Sequence, residues 1–159
     1  MLGMSRLLVL LRHAKSDWSR PVGDDARPLA GRGKRQAAEA GVWLAENGPA
    51  LDLAVVSTAR RAQDTWARAS AQLAAPPPQR DEDAAYTFDG VDLLEIVRAL
   101  EDDDTLSAVV LVGHNPAMAE LVHLLTGESV GMPTSALAVI ELPAWTAPGR
   151  LVMHGRPPA

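Results

Sequence analysis

An apolar run of strand length at residues 7–11 stops at an arginine joined to a histidine, Arg12-His13, and a second run at residues 108–112 stops at Gly113-His114. Two strands of this kind deliver two imidazoles to loop positions, where side chains are free to meet a ligand. With a pKa near about 6.5, an imidazole is mostly unprotonated at pH 7 and attacks phosphorus without a separate base. His13 has that character, and Arg12 places a fixed cation beside it. Attack charges three phosphoryl oxygens, so the site needs several preorganised cations or N–H donors aimed at them. Arg12, His114 and an arginine from the pair Arg60-Arg61 meet that need.

The pair lies in Ser57-Thr58-Ala59-Arg60-Arg61-Ala62-Gln63-Asp64-Thr65, where a strand gives way to a helix. Free N–H groups and the helix dipole favour an anion there, and the planar guanidinium fork holds two oxygens at once. Adjacent residues point to different sides of a helix, so one arginine of the two enters the pocket. An ion pair with Asp64 or Asp52 is the structural alternative for Arg61. For His114 the alternative is a plain turn, Gly113-His114-Asn115-Pro116, leading into a helix. Ser16 and Asn115 carry groups that donate either to phosphate or to turn backbone. Asp17, Glu82 and Asp83 are candidate proton donors or else solvated loop carboxylates. His123 and His154 suit surface positions and form no metal-ligand spacing with His13 or His114. Trp18, Trp43, Trp66 and Trp145 read as core or partly buried packing.

The elements that must carry these groups alternate. Residues 7–11 are apolar on both faces, as in a strand covered on two sides. A loop is expected over 19–32, then a helix over 33–47 closed by Asn47-Gly48-Pro49. A short strand at 53–56 precedes a helix over about 59–73, which Pro76-Pro77-Pro78 must follow as a stiff surface connection. Further helices are expected over 92–100 and from Pro116 to Leu125, where proline suits a first turn. Strands at 108–112, 137–142 and 150–153 complete the pattern. Strands alternating with helices imply an α/β sandwich.

At 159 residues the chain suits one domain, spanning 1–159, with 47% hydrophobic and 22% charged residues typical of a globular protein. No apolar stretch approaches the roughly 20 residues that span a bilayer, and residues 1–11 lack a signal-peptide cleavage pattern, so a cytoplasmic location without a membrane partner is expected. The absence of cysteine excludes disulfides, thiolate metal sites and cysteine nucleophiles. A net charge of −5 argues against general nucleic-acid binding, but the charge is uneven. Residues 1–68 hold 11 Lys and Arg against 7 Asp and Glu, whereas residues 69–159 hold 4 against 13.

The motifs together resemble the histidine phosphatase superfamily, the phosphoglycerate mutase-like group, and within it the small SixA-type phosphohistidine phosphatases. Leu11-Arg12-His13-Ala14 is similar to the family's Arg-His-Gly motif, with Ser16 and Trp18 at familiar spacings. Ser57-x-x-x-Arg61-Ala62-x-x-Thr65 is similar to its second arginine motif, which selects Arg61 over Arg60. Gly113-His114-Asn115-Pro116 resembles the second-histidine motif, and Arg27-Pro28-Leu29-x-x-x-Gly33 and Thr134-Ser135-Ala136 resemble SixA-type segments. The resemblance implies a three-layer α/β/α sandwich with a mostly parallel central sheet. It implies that His13 is transiently phosphorylated and that Arg12, Arg61 and His114 bind the phosphoryl oxygens, with no metal and no cofactor.

Two departures bear on the substrate. Lys15 stands where mutases usually carry glutamate, and Ala14 replaces the usual glycine, placing a methyl beside the expected pocket. Where ester-cleaving members draw a carboxylate acid, this chain offers Ala85-Tyr86. An imidazole leaves from phosphorus with much less protonation than an alkoxide does, so a site without a strong acid favours P–N over P–O cleavage. The expected substrate is a phosphorylated protein bearing phosphohistidine. The alternatives are a broad small-molecule phosphomonoesterase and a catalytically silent phosphate-binding module.

Overall fold

The computed structural model describes residues 5–157. Its centre is a six-stranded sheet with strands β1 (Arg6–Arg12), β2 (Leu53–Ser57), β3 (Gln79–Glu82), β4 (Ala108–Gly113), β5 (Leu137–Leu142) and β6 (Arg150–Gly155) in the order β3-β2-β4-β1-β5-β6. The pairs β3–β2, β2–β4 and β4–β1 are parallel, and β5 runs antiparallel to both β1 and β6. The architecture is the α/β sandwich that the alternating pattern implied, with the mostly parallel sheet that the resemblance implied.

Strand alternation divides the core between the two faces. Leu8 and Leu10 of β1 point to one side and pack with α3 (Gly90–Ala99) and α4 (Ala117–Thr126). Val9 and Leu11 point to the other and pack with Ala40 and Leu44 of α1 (Gly31–Asn47) and Trp66 of α2 (Arg60–Ser70). A strand buried on both faces must be apolar at every position, which is why residues 8–11 carry no polar side chain. No helix among the described residues is long and apolar enough to cross a membrane.

The structure corrects several expected boundaries and one missing element. Gln79–Glu82 forms the edge strand β3 beside β2, although its sequence Gln-Arg-Asp-Glu has no apolar alternation. Charged residues suit a sheet edge, where one side of the ladder faces water, and the Pro78 carbonyl accepts the Ala54 N–H at 2.9 Å to lead the chain in. The expected loop at 19–32 contains a 3-10 turn at Asp24–Ala26 and ends earlier, since α1 starts at Gly31. Helix α2 stops at Ser70, short of the expected 73. Trp66 and Trp145 are core residues, but Trp18 is 71% exposed, contrary to a packing role.

Candidate active site

Parallel strands align their carboxyl ends, and in open α/β sheets that edge is where ligands bind. Arg12 ends β1 in register with Gly113 at the end of β4, and Ser57 ends the neighbouring β2. The chain entering β5 reaches the same edge, where the Ser135 N–H donates to the His13 carbonyl at 3.0 Å. A cavity of about 260 Å³ opens here, lined by Arg12, His13, Ser16, Arg61 and Asn115 together with Asp24, Arg27 and Thr134. Segments far apart in the chain therefore converge.

The two imidazoles lie with ring centroids 5.2 Å apart, and both are buried. His13 Nδ1 is 2.8 Å from the Ala14 carbonyl. A carbonyl only accepts, so Nδ1 carries the proton and Nε2 keeps its lone pair. Burial chiefly pushes the His13 pKa down to about 3, with His114, Arg61 and Arg12 adding to the fall and the Ala14 bond opposing it. His114 is lowered to about 4, by burial first and then by the Arg61 charge. Each ring is neutral at pH 7.

Ser57 orients the second ring. Its Oγ accepts the Ala59 N–H at 3.3 Å and lies 2.7 Å from His114 Nε2, so the hydroxyl proton is directed at that nitrogen. His114 then keeps its own proton on Nδ1. This Nδ1 is buried without a protein hydrogen-bond partner, as are Nε of Arg12, Arg27 and Arg61. Buried donors are normally satisfied. Four of them gather near the two imidazoles, three on arginines that line the cavity, so unpaired donors and positive charge are concentrated at this edge of the sheet.

Arg61 lines the cavity, whereas Arg60 is turned out to Asp64 at 3.4 Å. Neither alternative partner holds Arg61. Asp52 instead accepts the N–H groups of Ser107 and Ala108. The partner is Asp24, whose main-chain carbonyl accepts from Arg61 Nη1 at 2.7 Å and whose carboxylate accepts from Nη2 at 3.0 Å. Asp24 also accepts from Arg27 Nη2 at 2.9 Å and from the Tyr86 hydroxyl. The Tyr86 bond first, then Arg27 and Arg61, hold its pKa far below the usual carboxylate range. Its place in an irregular loop gave the sequence reading no signal for it. Arg27, known there only as part of a motif, donates to the Ser16 hydroxyl and stacks its guanidinium 3.6 Å from the Trp18 ring centroid.

The remaining expected residues divide. Asn115 lines the cavity, but its amide donates to the Met132 carbonyl at 2.9 Å and its oxygen accepts the Ala119 N–H at 3.2 Å. Asp17 is occupied by Ser19 and borders a neighbouring groove, while Glu82 lies on the edge strand and Asp83 in the exposed turn after it. None of the three lines the cavity. Of the pair Ala85-Tyr86, Ala85 is fully buried in the core and the Tyr86 hydroxyl donates to Asp24, so neither places a carboxylic acid in the site. The Ala14 methyl does not narrow the pocket either. It packs with Leu29 and Ala37, while its N–H donates to Thr65 Oγ at 2.9 Å and Thr65 donates to the Arg61 carbonyl at 2.7 Å. Thr65 thereby ties the His13 loop to the Arg61 helix.

Comparison with known proteins gives the family and the fold. Residues 8–84 match the model of the histidine phosphatase superfamily, branch 1. An uncharacterised protein of Mycobacterium tuberculosis is 35% identical over 143 residues, covering 83% of this chain and 87% of the relative. A candidate phosphohistidine phosphatase SixA from Nakamurella multipartitia has the same fold at a TM-score of 0.84 and 29% identity, with 100% of both chains covered. A protein histidine phosphatase SixA solved with tungstate gives a TM-score of 0.84 at 22% identity, covering 94% of this chain and 96% of the other, and is alike in fold. The chain belongs to the histidine phosphatase superfamily and is a phosphatase of SixA-like fold.

Proposed function

We propose that the protein removes the phosphoryl group from phosphohistidine on a protein, through a phosphorylated His13. The observation that carries this reading is the His13 tautomer. The Ala14 carbonyl holds the proton on Nδ1, burial keeps the ring neutral, and Nε2 is left as a nucleophile beside Arg12, Arg61 and His114. In the first step a P–N bond forms to His13 Nε2 as the substrate P–N bond breaks, and the departing imidazole takes the electron pair and then a proton from water. In the second step a water oxygen attacks phosphorus, the electron pair returns to Nε2, phosphate leaves and the surplus proton passes to solvent. The phosphoryl charge is met by guanidinium groups and by His114 Nδ1–H, so the reading calls for no metal and no cofactor.

The leaving group is inferred from the carboxylates. Asp24 is the carboxylate that lines the cavity, and its ionised state is the stabilised one. It cannot readily give a proton to an alkoxide, whereas imidazole departs with little help. The open mouth, with Trp18 and Phe88 exposed beside it, suits a residue presented on a protein surface. His13→Ala is expected to abolish phosphate release from a phosphohistidine peptide while the far-UV spectrum is unchanged. The wild type is expected to yield an acid-labile, base-stable phosphoenzyme after rapid quench. Turnover by the alanine variant refutes the mechanism, and faster turnover of sugar phosphates than of the peptide moves the substrate to small phosphate esters.

A further inference from the structure

We propose that a cationic groove next to the active site docks an acidic segment of the phosphorylated protein; this rests on the protein-phosphohistidine reading above. The groove, about 540 Å³, lies between the start of α1 and the outer side of α2, and its charged lining is Arg20, Lys34, Arg60 and Arg68 against Asp17 and Asp64. Arg20 lies 4.0 Å from Asp17, and Arg60 pairs with Asp64 at 3.4 Å. Lys34 and Arg68 have no ion-pair partner among the described residues, and both are exposed. Two surplus cations therefore face one concave surface on a protein whose net charge is −5.

Lys34 is placed against its own helix, whereas Arg68, in the last turn of α2, sits where a cation suits the helix dipole. The first turn of α1 holds Arg32 and Lys34 with no acidic residue, and its N-cap Ala30 makes no side-chain cap. Cations at the positive end of a helix dipole oppose it, where carboxylates would favour it. Lys34 therefore gains from an anionic partner rather than from its own helix.

The groove is continuous with the catalytic cavity in the chain. Ser16 and Trp18 line the cavity while Asp17 and Arg20 line the groove; Arg27 lines the cavity while Pro28 lines the groove; Arg61 lines the cavity while Arg60 lines the groove. The groove and the cavity are thus neighbours built from consecutive residues, and the segment flanking a protein-borne phosphohistidine at His13 is the part of the substrate that would extend to Lys34 and Arg68. A small phosphorylated molecule filling the cavity of about 260 Å³ does not reach them.

The test uses two synthetic phosphohistidine peptides, one flanked by glutamates and one by glutamines, together with free phosphohistidine. At low salt the wild type is expected to prefer the glutamate peptide by about tenfold in kcat/KM, mainly through KM, with the preference lost near half-molar salt. Lys34→Glu/Arg68→Glu is expected to remove the preference and to leave turnover of free phosphohistidine within about twofold. Equal use of both peptides by the wild type, or a preference that survives the charge reversal, overturns the docking surface alone. No turnover of any phosphohistidine probe overturns the function on which it rests. Polyglutamate is expected to compete with the glutamate peptide, and competition by a single-stranded oligonucleotide but not by polyglutamate assigns the groove to nucleic acid and refutes the proposal.

Discussion

The paired neutral imidazoles make stability depend on pH in a direction and window that the site defines. His13 is lowered from 6.5 to about 3 and His114 from 6.5 to about 4. Below pH 6.5 the unfolded chain takes up protons at both positions while the native state resists, so stability falls as pH falls. Above pH 7 neither ring contributes a slope. At pH 5 each ring costs about 2 kcal/mol relative to pH 7, from the 1.36 kcal/mol per unit linkage, and the two together cost about 4 kcal/mol. Against a typical domain stability of about 5–15 kcal/mol that is a large fraction. The comparison is urea unfolding at pH 7 and pH 5 for the wild type and for His13→Asn/His114→Gln. Asn retains an amide donor near the Ala14 carbonyl, and Gln retains a polar group near Ser57. The variant is expected to lose about 4 kcal/mol less between the two pH values, because its remaining slope comes from carboxylates common to both proteins. Equal losses would mean that the rings charge freely in the folded state, which removes both the neutral nucleophile and the burial argument behind it.

Ser57→Ala is expected to lower kcat about tenfold, since His114 loses the hydroxyl that holds its proton on Nδ1, while Ser57→Thr restores much of the rate. Thr65→Val leaves the buried Ala14 N–H without an acceptor and should cost about 1–3 kcal/mol in urea unfolding, with Thr65→Ser recovering most of it. Gly33→Ala should destabilise by at least about 1–3 kcal/mol, because a Cβ on Gly33 would sit 1.9 Å from the Lys15 carbonyl oxygen and force α1 away from the His13 loop. In a substrate panel read by released phosphate, aryl phosphates should exceed alkyl phosphates by at least about 100-fold in kcat, the contribution of a general acid; equal rates would show that a proton donor operates in the cavity.

What the sequence disclosed was set by how strongly each element depends on its own residues. Strands β1 and β4 are buried on both faces, so their apolar runs have one reading, and the polar groups that follow them stand out against them. Arg61 was separable from Arg60 through the motif, and the structure gives the physical reason: Arg61 turns inward to Asp24 while Arg60 meets Asp64 in solvent. By contrast, β3 is polar because it lies at an edge, and periodicity is silent there. Asp24 was hidden for another reason. It acts from a 3-10 turn, where contacts to Arg27, Arg61 and Tyr86 depend on tertiary placement rather than on any repeating pattern. The Ala14 methyl was misplaced because a glycine substitution says that a methyl is added but not which way it points.

Asp24 also links the shape of the site to the choice of leaving group. A carboxylate close to the phosphoryl position is normally the candidate acid, yet this one is surrounded by two guanidinium groups and a phenol that all stabilise its charged form. The contacts that orient Arg61 therefore remove the proton that ester cleavage would need. An alkoxide leaving group would have to depart nearly unprotonated, whereas a phosphoramidate nitrogen can be protonated by solvent before or during departure. Replacing Asp24 by a residue able to stay protonated would relax that constraint but would also release Arg61 and Arg27 from their shared anchor. Under the proposed function, positioning of the buried cations and preference for P–N over P–O bonds would thus be two consequences of one electrostatic arrangement.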